Sequence, residues 1–111
     1  MLKRLSILLL TAALMMALGQ KGKAPVERSV TGVVTDAGGQ AVPGAQVLLK
    51  NMKTLQVRSF IAKEKGEYFF NGLSTDVDYE LRAQAQGHSS SPHTLSTFDS
   101  RKEATINLQL K

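Results

Sequence analysis

The chain has 111 residues, enough for one domain of ordinary size. It carries 14 Lys and Arg against 9 Asp and Glu, a formal net charge of +5, and 42% of its residues are hydrophobic, enough for a packed core and too many for a wholly disordered chain. It has no cysteine, which excludes a disulfide framework, a thiolate zinc site, an iron–sulfur cluster and a cysteine nucleophile, and it has no Trp.

Residues 1–19 have the three parts of a secretory signal peptide in order. Lys3 and Arg4 form the positive start. Leu5 to Leu18 is apolar apart from Ser6 and Thr11, and shorter than the roughly 20 residues a membrane-spanning helix needs. Ala17, Leu18 and Gly19 supply the small-x-small end, so cleavage is expected between Gly19 and Gln20. No Cys stands at that point to take a lipid. The mature chain is therefore expected to be secreted or periplasmic, touching a membrane only through the signal before cleavage. Without Lys3 and Arg4 the balance is 12 basic to 9 acidic groups, a net of +3, which is no nucleic-acid footprint. Residues 20–28 read as a flexible polar lead-in, with Lys21, Lys23 and Arg28 in solvent.

From Ser29 the pattern has a period of two. Ser29 to Thr35 is β-branched and short. The pair Asp36 and Gly38–Gly39, then Pro43–Gly44, turn the chain into a segment with Val47 and Leu49 on one face. Between Leu55 and Ala62, Val57 and Ile61 share one face, and Arg58 and Phe60 the other. Lys63 to Gly66 reads as a hairpin loop with Gly66 in a left-handed conformation, ahead of Tyr68 and Phe70 on one face and Phe69 on the other. Asn71–Gly72 and Gly87 mark further breaks. Tyr79, Leu81, Ala83 and Ala85 alternate with Glu80, Arg82, Gln84 and Gln86. Ser91 to Phe98, rich in Ser and Thr, reads as an edge strand. Ala104, Ile106, Leu108 and Leu110 alternate with Thr105, Asn107 and Gln109. Half-buried antiparallel strands account for these alternations. Seven short strands with turns every 8–12 residues imply an all-β, two-sheet antiparallel sandwich.

Four segments in order then resemble the carboxypeptidase regulatory-like domain family. They are Thr31 to Asp36 with Val42 to Leu49, Gly66 to Leu73, and Tyr79 to His88, within a likeness that runs from Val30 to Leu110. The resemblance implies an immunoglobulin-like or transthyretin-like sandwich over residues 29–111, of the carbohydrate-binding-like kind. In that frame Val33, Val47 and Leu49 belong to the core, Gly32 admits a close neighbour, and Leu73 closes one end. The loops depart from the family pattern: Ser74 to Asp78 replaces a Pro-x-Gly turn, and His88 follows Gly87 where Tyr is usual.

No catalytic constellation accompanies this pattern. His88 and His93 read as exposed loop residues, and neither is followed three residues on by Glu, as a zinc carboxypeptidase requires. Ser89 to Ser91 lies in no nucleophile elbow, and its hydroxyls suit the local backbone. Asp76 and Asp78 read as turn formers, being far short of a calcium shell. No metal or cofactor is expected. The reading is a non-catalytic module, binding or scaffolding a protein or glycan partner at the cell envelope through loops or an open edge strand. A carbohydrate-binding module of the same fold is the alternative, with Phe69, Phe98 and Arg58 as candidate ligand contacts; a small hydrolase is the third. Intact-mass analysis of exported protein should find a chain beginning near Gln20, and a full-length product in the membrane fraction would contradict the signal peptide.

Overall fold

The computed structural model describes residues 26–111. The signal segment, its expected cleavage point at Gly19 and Gln20, and most of the lead-in lie outside the described residues.

The described chain is an all-β sandwich. Its strands are β1 (Glu27–Thr35), β2 (Gln46–Asn51), β3 (Val57–Ile61), β4 (Glu67–Ser74), β5 (Tyr79–Ala85), β6 (His88–Ser89), β7 (His93–Leu95), β8 (Glu103–Thr105) and β9 (Leu108–Gln109). One sheet runs β4-β1-β8, with β9 continuing beside β1; the other runs β3-β2-β5, with β6 and β7 along the far side of β5. The C-terminal alternation divides into β8 and β9, the expected edge strand shortens to β7, and β6 forms ahead of it, which raises seven expected strands to nine. His88 and His93 consequently lie on short strands rather than in a loop, both exposed.

The core is made by alternation. Val47 and Leu49 from β2, Leu81 and Ala83 from β5, Tyr68 and Phe70 from β4, and Val30 and Val34 from β1 are all buried. Each large side chain contributes about 1.5–3 kcal/mol by leaving water. Phe60 packs edge-on against Phe70, with ring centroids 6.0 Å apart.

The phase of β1 differs from the family-based expectation. Val34 is the core residue, and Val33 points outward. Gly32 fixes this phase. It stands on the inner face, where a Cβ would overlap the Ile106 carbonyl and crowd the Tyr68 ring. The empty space lets the Tyr68 hydroxyl cross β1 and donate to the Ile106 carbonyl. Burial pushes that hydroxyl's pKa above its ordinary value, so it stays a donor.

Three further expectations are corrected. The C-terminal strands pair parallel, not antiparallel, to β1, with Val30 opposite Ala104 and Val34 opposite Leu108. Asn71–Gly72 does not end a strand: β4 runs through it, and the register with β1 shifts there because Gly72, at φ 67°, forms a bulge. Arg28 is not in solvent. It is 3% exposed, on the inner face of β1.

The Arg28 guanidinium is held by backbone carbonyls. Nε donates to Ser74 (3.1 Å), Nη2 to Val77 (2.8 Å), and Nη1 to Ser96 (2.6 Å) and Asp99 (3.3 Å). It also lies 6.0 Å from the centroid of the Tyr79 ring. A five-donor fork suits this task, because it ties the β4–β5 turn and the β7–β8 loop to the first strand at once.

Gly32→Ala should lower the free energy of urea unfolding by about 2 kcal/mol or more, because backbone must shift to admit the methyl. Thr31→Ala, on the outward face next to it, should stay within about 0.5 kcal/mol of the parent.

Candidate binding surface

A sandwich must dispose of its sheet edges, since an edge strand presents unpaired N–H and C=O groups. On three sides the described residues do so. The β8–β9 edge is two short strands parted at Ile106, whose N–H donates to Thr31 (2.8 Å). The β6–β7 edge is likewise short and interrupted by Pro92, which has no N–H to offer. β4 is long, but it is broken by the bulge at Gly72 and several of its outer polar groups are occupied. Lys63 N–H donates to the Glu67 carbonyl (2.9 Å), Arg58 Nη1 to the Asn71 carbonyl (3.1 Å), and Ser74 N–H to the Tyr79 hydroxyl (2.9 Å).

β3 has none of these guards. It pairs with β2 in unbroken register, from Gln46 opposite Ile61 to Lys50 opposite Val57, and contains no Pro, Gly, Lys or acidic residue. The bonds Asn51 N–H to Gln56 C=O (2.8 Å) and Ala62 N–H to Ala45 C=O (2.8 Å) bracket the ladder. Even-numbered residues therefore turn their backbone groups towards β2, and Val57, Ser59 and Ile61 turn theirs to the open side. The same odd residues carry their side chains on the outer face of the sheet, where Val57 is 54% and Ile61 60% exposed. Sequence alternation correctly separated Val57 and Ile61 from Arg58 and Phe60. The structure turns the β-branched pair to the outer face and Arg58 and Phe60 to the inner face, where Phe60 is half-buried and Arg58 lies exposed at the rim.

Leu55 and Met52 extend this apolar strip along the β2–β3 connection, both exposed. Leu55 enters β3 through a left-handed backbone, φ 65°, a conformation that costs a non-glycine residue on the order of 1 kcal/mol. The rim is basic: Lys53, Lys63 and Lys65 flank the strand, with Glu64 the acidic exception. Sequence reasoning allowed for an open edge strand, but not for its being this one.

The residues proposed from sequence as ligand contacts are not brought together. Phe69 stands on the outer face of the other sheet, opposite Thr31. Arg58 lies on the inner side of β3, its guanidinium 5.5 Å from the centroid of the Phe70 ring, so it braces the core rim. Phe98 is 96% exposed in the β7–β8 loop. Beside it Arg101 donates to both carboxylate oxygens of Asp99 (3.0 and 2.7 Å) and holds that carboxyl at about 2, below the ordinary 3.8. The folded value is the lower one, so the contribution of this pair is present above about pH 4 and fades as pH falls towards 2.

Other polar side chains named from the sequence are engaged with backbone. Ser90 Oγ accepts from Ala83 N–H (2.9 Å) and donates to the Ser91 carbonyl (3.0 Å), which commits the hydroxyl to backbone. His88 Nδ1 lies 2.7 Å from the Lys111 carbonyl. Asp78 Oδ1 accepts from Thr97 N–H (2.7 Å) and so joins the turn before β5 to the β7–β8 loop. Among the described residues no three His, Asp or Glu side chains converge on one point. A cleft of about 580 Å³ lies between the β1–β2 loop and the β5–β6 turn, bordered by Asp36, Val42, Pro43, Gln86 and His88.

The chain belongs to the carboxypeptidase regulatory-like domain family, whose profile matches residues 29–111. No curated protein is significantly similar to it in sequence. Among solved structures, it is similar to the major pilin subunit BcpA of Bacillus cereus, at 12% identity and a TM-score of 0.62, with 78% of this chain covering 30% of that one. It is similar to the dioxygenase domain of a dioxygenase–carbohydrate-binding protein fusion from Streptomyces sp. SirexAA-E, at 14% identity and a TM-score of 0.57, covering 83% of this chain and 84% of that one. It is also similar to the C-terminal domain of the shaft pilin SpaA from Lactobacillus rhamnosus GG, at 12% identity and a TM-score of 0.52, covering 77% and 98%. At these identities the likeness is one of fold.

Amide hydrogen exchange read residue by residue in dilute protein should alternate along β3. Val57, Ser59 and Ile61 should exchange fast, and Arg58 and Phe60 at least about tenfold more slowly, because only the second set is bonded to β2.

Proposed function

We propose that this domain is a non-catalytic binding or scaffolding module of the cell envelope, exported by its signal peptide, and that it acts through the β3 edge. The observation that carries the reading is the unguarded ladder. Val57, Ser59 and Ile61 offer backbone donors and acceptors outward beside exposed β-branched side chains. An extended segment added there gains main-chain hydrogen bonds and two apolar contacts on one face, which is the physics of β-strand addition. Export is supported by the signal pattern of residues 1–19. A purely structural use of the fold is supported by pilin subunits among its structural neighbours, while a dioxygenase domain on the same fold shows that the architecture alone does not decide chemistry.

The glycan reading has less behind it. Sugar rings are held by aromatic platforms flanked by polar side chains. Phe69 and Phe98 lie in different parts of the molecule, and Arg58 is engaged with Phe70 and Asn71.

Photo-crosslinking decides between surfaces. A benzophenone amino acid at position 59, expressed in the native host, should give discrete adducts, and the same group at position 69 or 98 should give none. Adducts at 69 or 98 with none at 59 would move the binding surface to the aromatic residues and overturn the edge reading.

A further inference from the structure

We propose that the strand received by β3 is β3 of a second copy of this chain, antiparallel and centred on Ser59, so that the two second sheets become one continuous sheet. This rests on the edge reading above and names the partner.

The inference comes from register. Only Val57, Ser59 and Ile61 face outward, so an incoming antiparallel copy must match odd residues with odd residues. Three centres satisfy this with at least three residues overlapping. Centring on Arg58 overlaps three residues and sets Arg58 against itself. Centring on Phe60 also overlaps three. Centring on Ser59 overlaps all five residues of the strand. In that register Val57 faces the second copy's Ile61 and Ile61 its Val57 on the outer face, and Ser59 faces Ser59. On the inner face Arg58 meets the second copy's Phe60, so the one charge in the strand is placed against an aromatic ring and not against its like. The strand is thus complementary to its own reverse.

Symmetry then closes the assembly. A two-fold contact uses the same edge on both copies, and the far edge of the joined sheet is the short β6–β7 pair interrupted by Pro92, so growth stops at two. The chain's own residues 20–25 are a poorer occupant. Lys21 and Lys23 would approach the basic rim of β3, and Pro25 lacks a donor.

The chain has no cysteine, so single thiols report the register directly. In a hydrogen-bonded antiparallel pair the Cα atoms lie about 5.5 Å apart, within the roughly 4.4–6.8 Å span of a disulfide. With oxidised glutathione, Ser59→Cys in the mature chain should become mostly covalent dimer. Val57→Cys and Ile61→Cys should each stay largely monomeric alone and give the mixed dimer when combined. Thr31→Cys, on the other sheet, sets the background. In sedimentation equilibrium the parent chain should dimerise with concentration. Ser59→Pro should not, while keeping its far-UV circular dichroism, since the Ser59 N–H takes no part in the β2 ladder.

Ser59→Cys dimerising no more than Thr31→Cys, with a parent chain monomeric at all concentrations, would overturn the second copy as partner. Protection of the Val57, Ser59 and Ile61 amides that does not depend on concentration would overturn it too, in favour of an intramolecular cover. Neither result touches the edge reading itself if position 59 still crosslinks to a different protein in the host.

Discussion

The sandwich depends on an absence of atoms at Gly32. β1 is the central strand of its sheet, paired with β4 on one side and with β8 and β9 on the other. At Gly32 the Tyr68 hydroxyl passes over the backbone of β1 to the Ile106 carbonyl, at the point where β8 ends and β9 has yet to begin. That carbonyl is left over by the parallel ladder, and an unsatisfied buried acceptor would cost about 1–3 kcal/mol. One hydroxyl therefore joins three segments that are not neighbours in sequence. It can do so only because no side chain stands between them.

Arg28 works at the opposite end by the reverse logic. A guanidinium excluded from water must have its donors met, and here carbonyls from two loops meet them. The β7–β8 segment projects Phe98 into solvent, and it is anchored to the rest of the sandwich by Arg28, by Asp78 and by the Ser29 N–H to Lys102 carbonyl bond. The charge is thus a tether for the most irregular part of the chain. It holds the start of β1 with the same face inward as Val30 and Val34.

These two devices mark where the sequence was legible and where it was not. Tyr68 and Phe70, Leu81 and Ala83, and Val47 and Leu49 could be assigned to the core because each alternates with polar or outward-facing neighbours over several residues. Val33 and Val34 defeat that test. Two adjacent valines fit either phase, and the choice is made by Tyr68, more than thirty residues away. Arg28 defeats it differently. At the end of a polar run it reads as solvated, and the carbonyls that bury it are 46 to 71 residues distant. Parallel pairing of the C-terminal strands was illegible for a related reason. Alternation records which face a residue takes, and carries no sign of the direction of the neighbouring strand. The same limit applies at β3. Pattern alone grouped Val57 with Ile61, but which group faced water depended on Phe60 finding Phe70.

The exposure at β3 follows from how the two sheets meet. β3 and β4 are consecutive and lie at adjacent edges of the two layers, so Arg58 from one can reach Asn71 of the other. That contact commits the even face of β3 inward and caps one carbonyl of the β4 edge. It leaves the odd residues of β3, side chain and backbone alike, with no surface to turn towards. Had Val57 and Ile61 been Lys or Glu, the open ladder would be an ordinary guarded edge. Their β-branched side chains instead favour the extended backbone, limit its freedom before any strand arrives, and leave apolar area beside each outward N–H. The interaction that caps part of one edge of the sandwich is thus the one that presents the other.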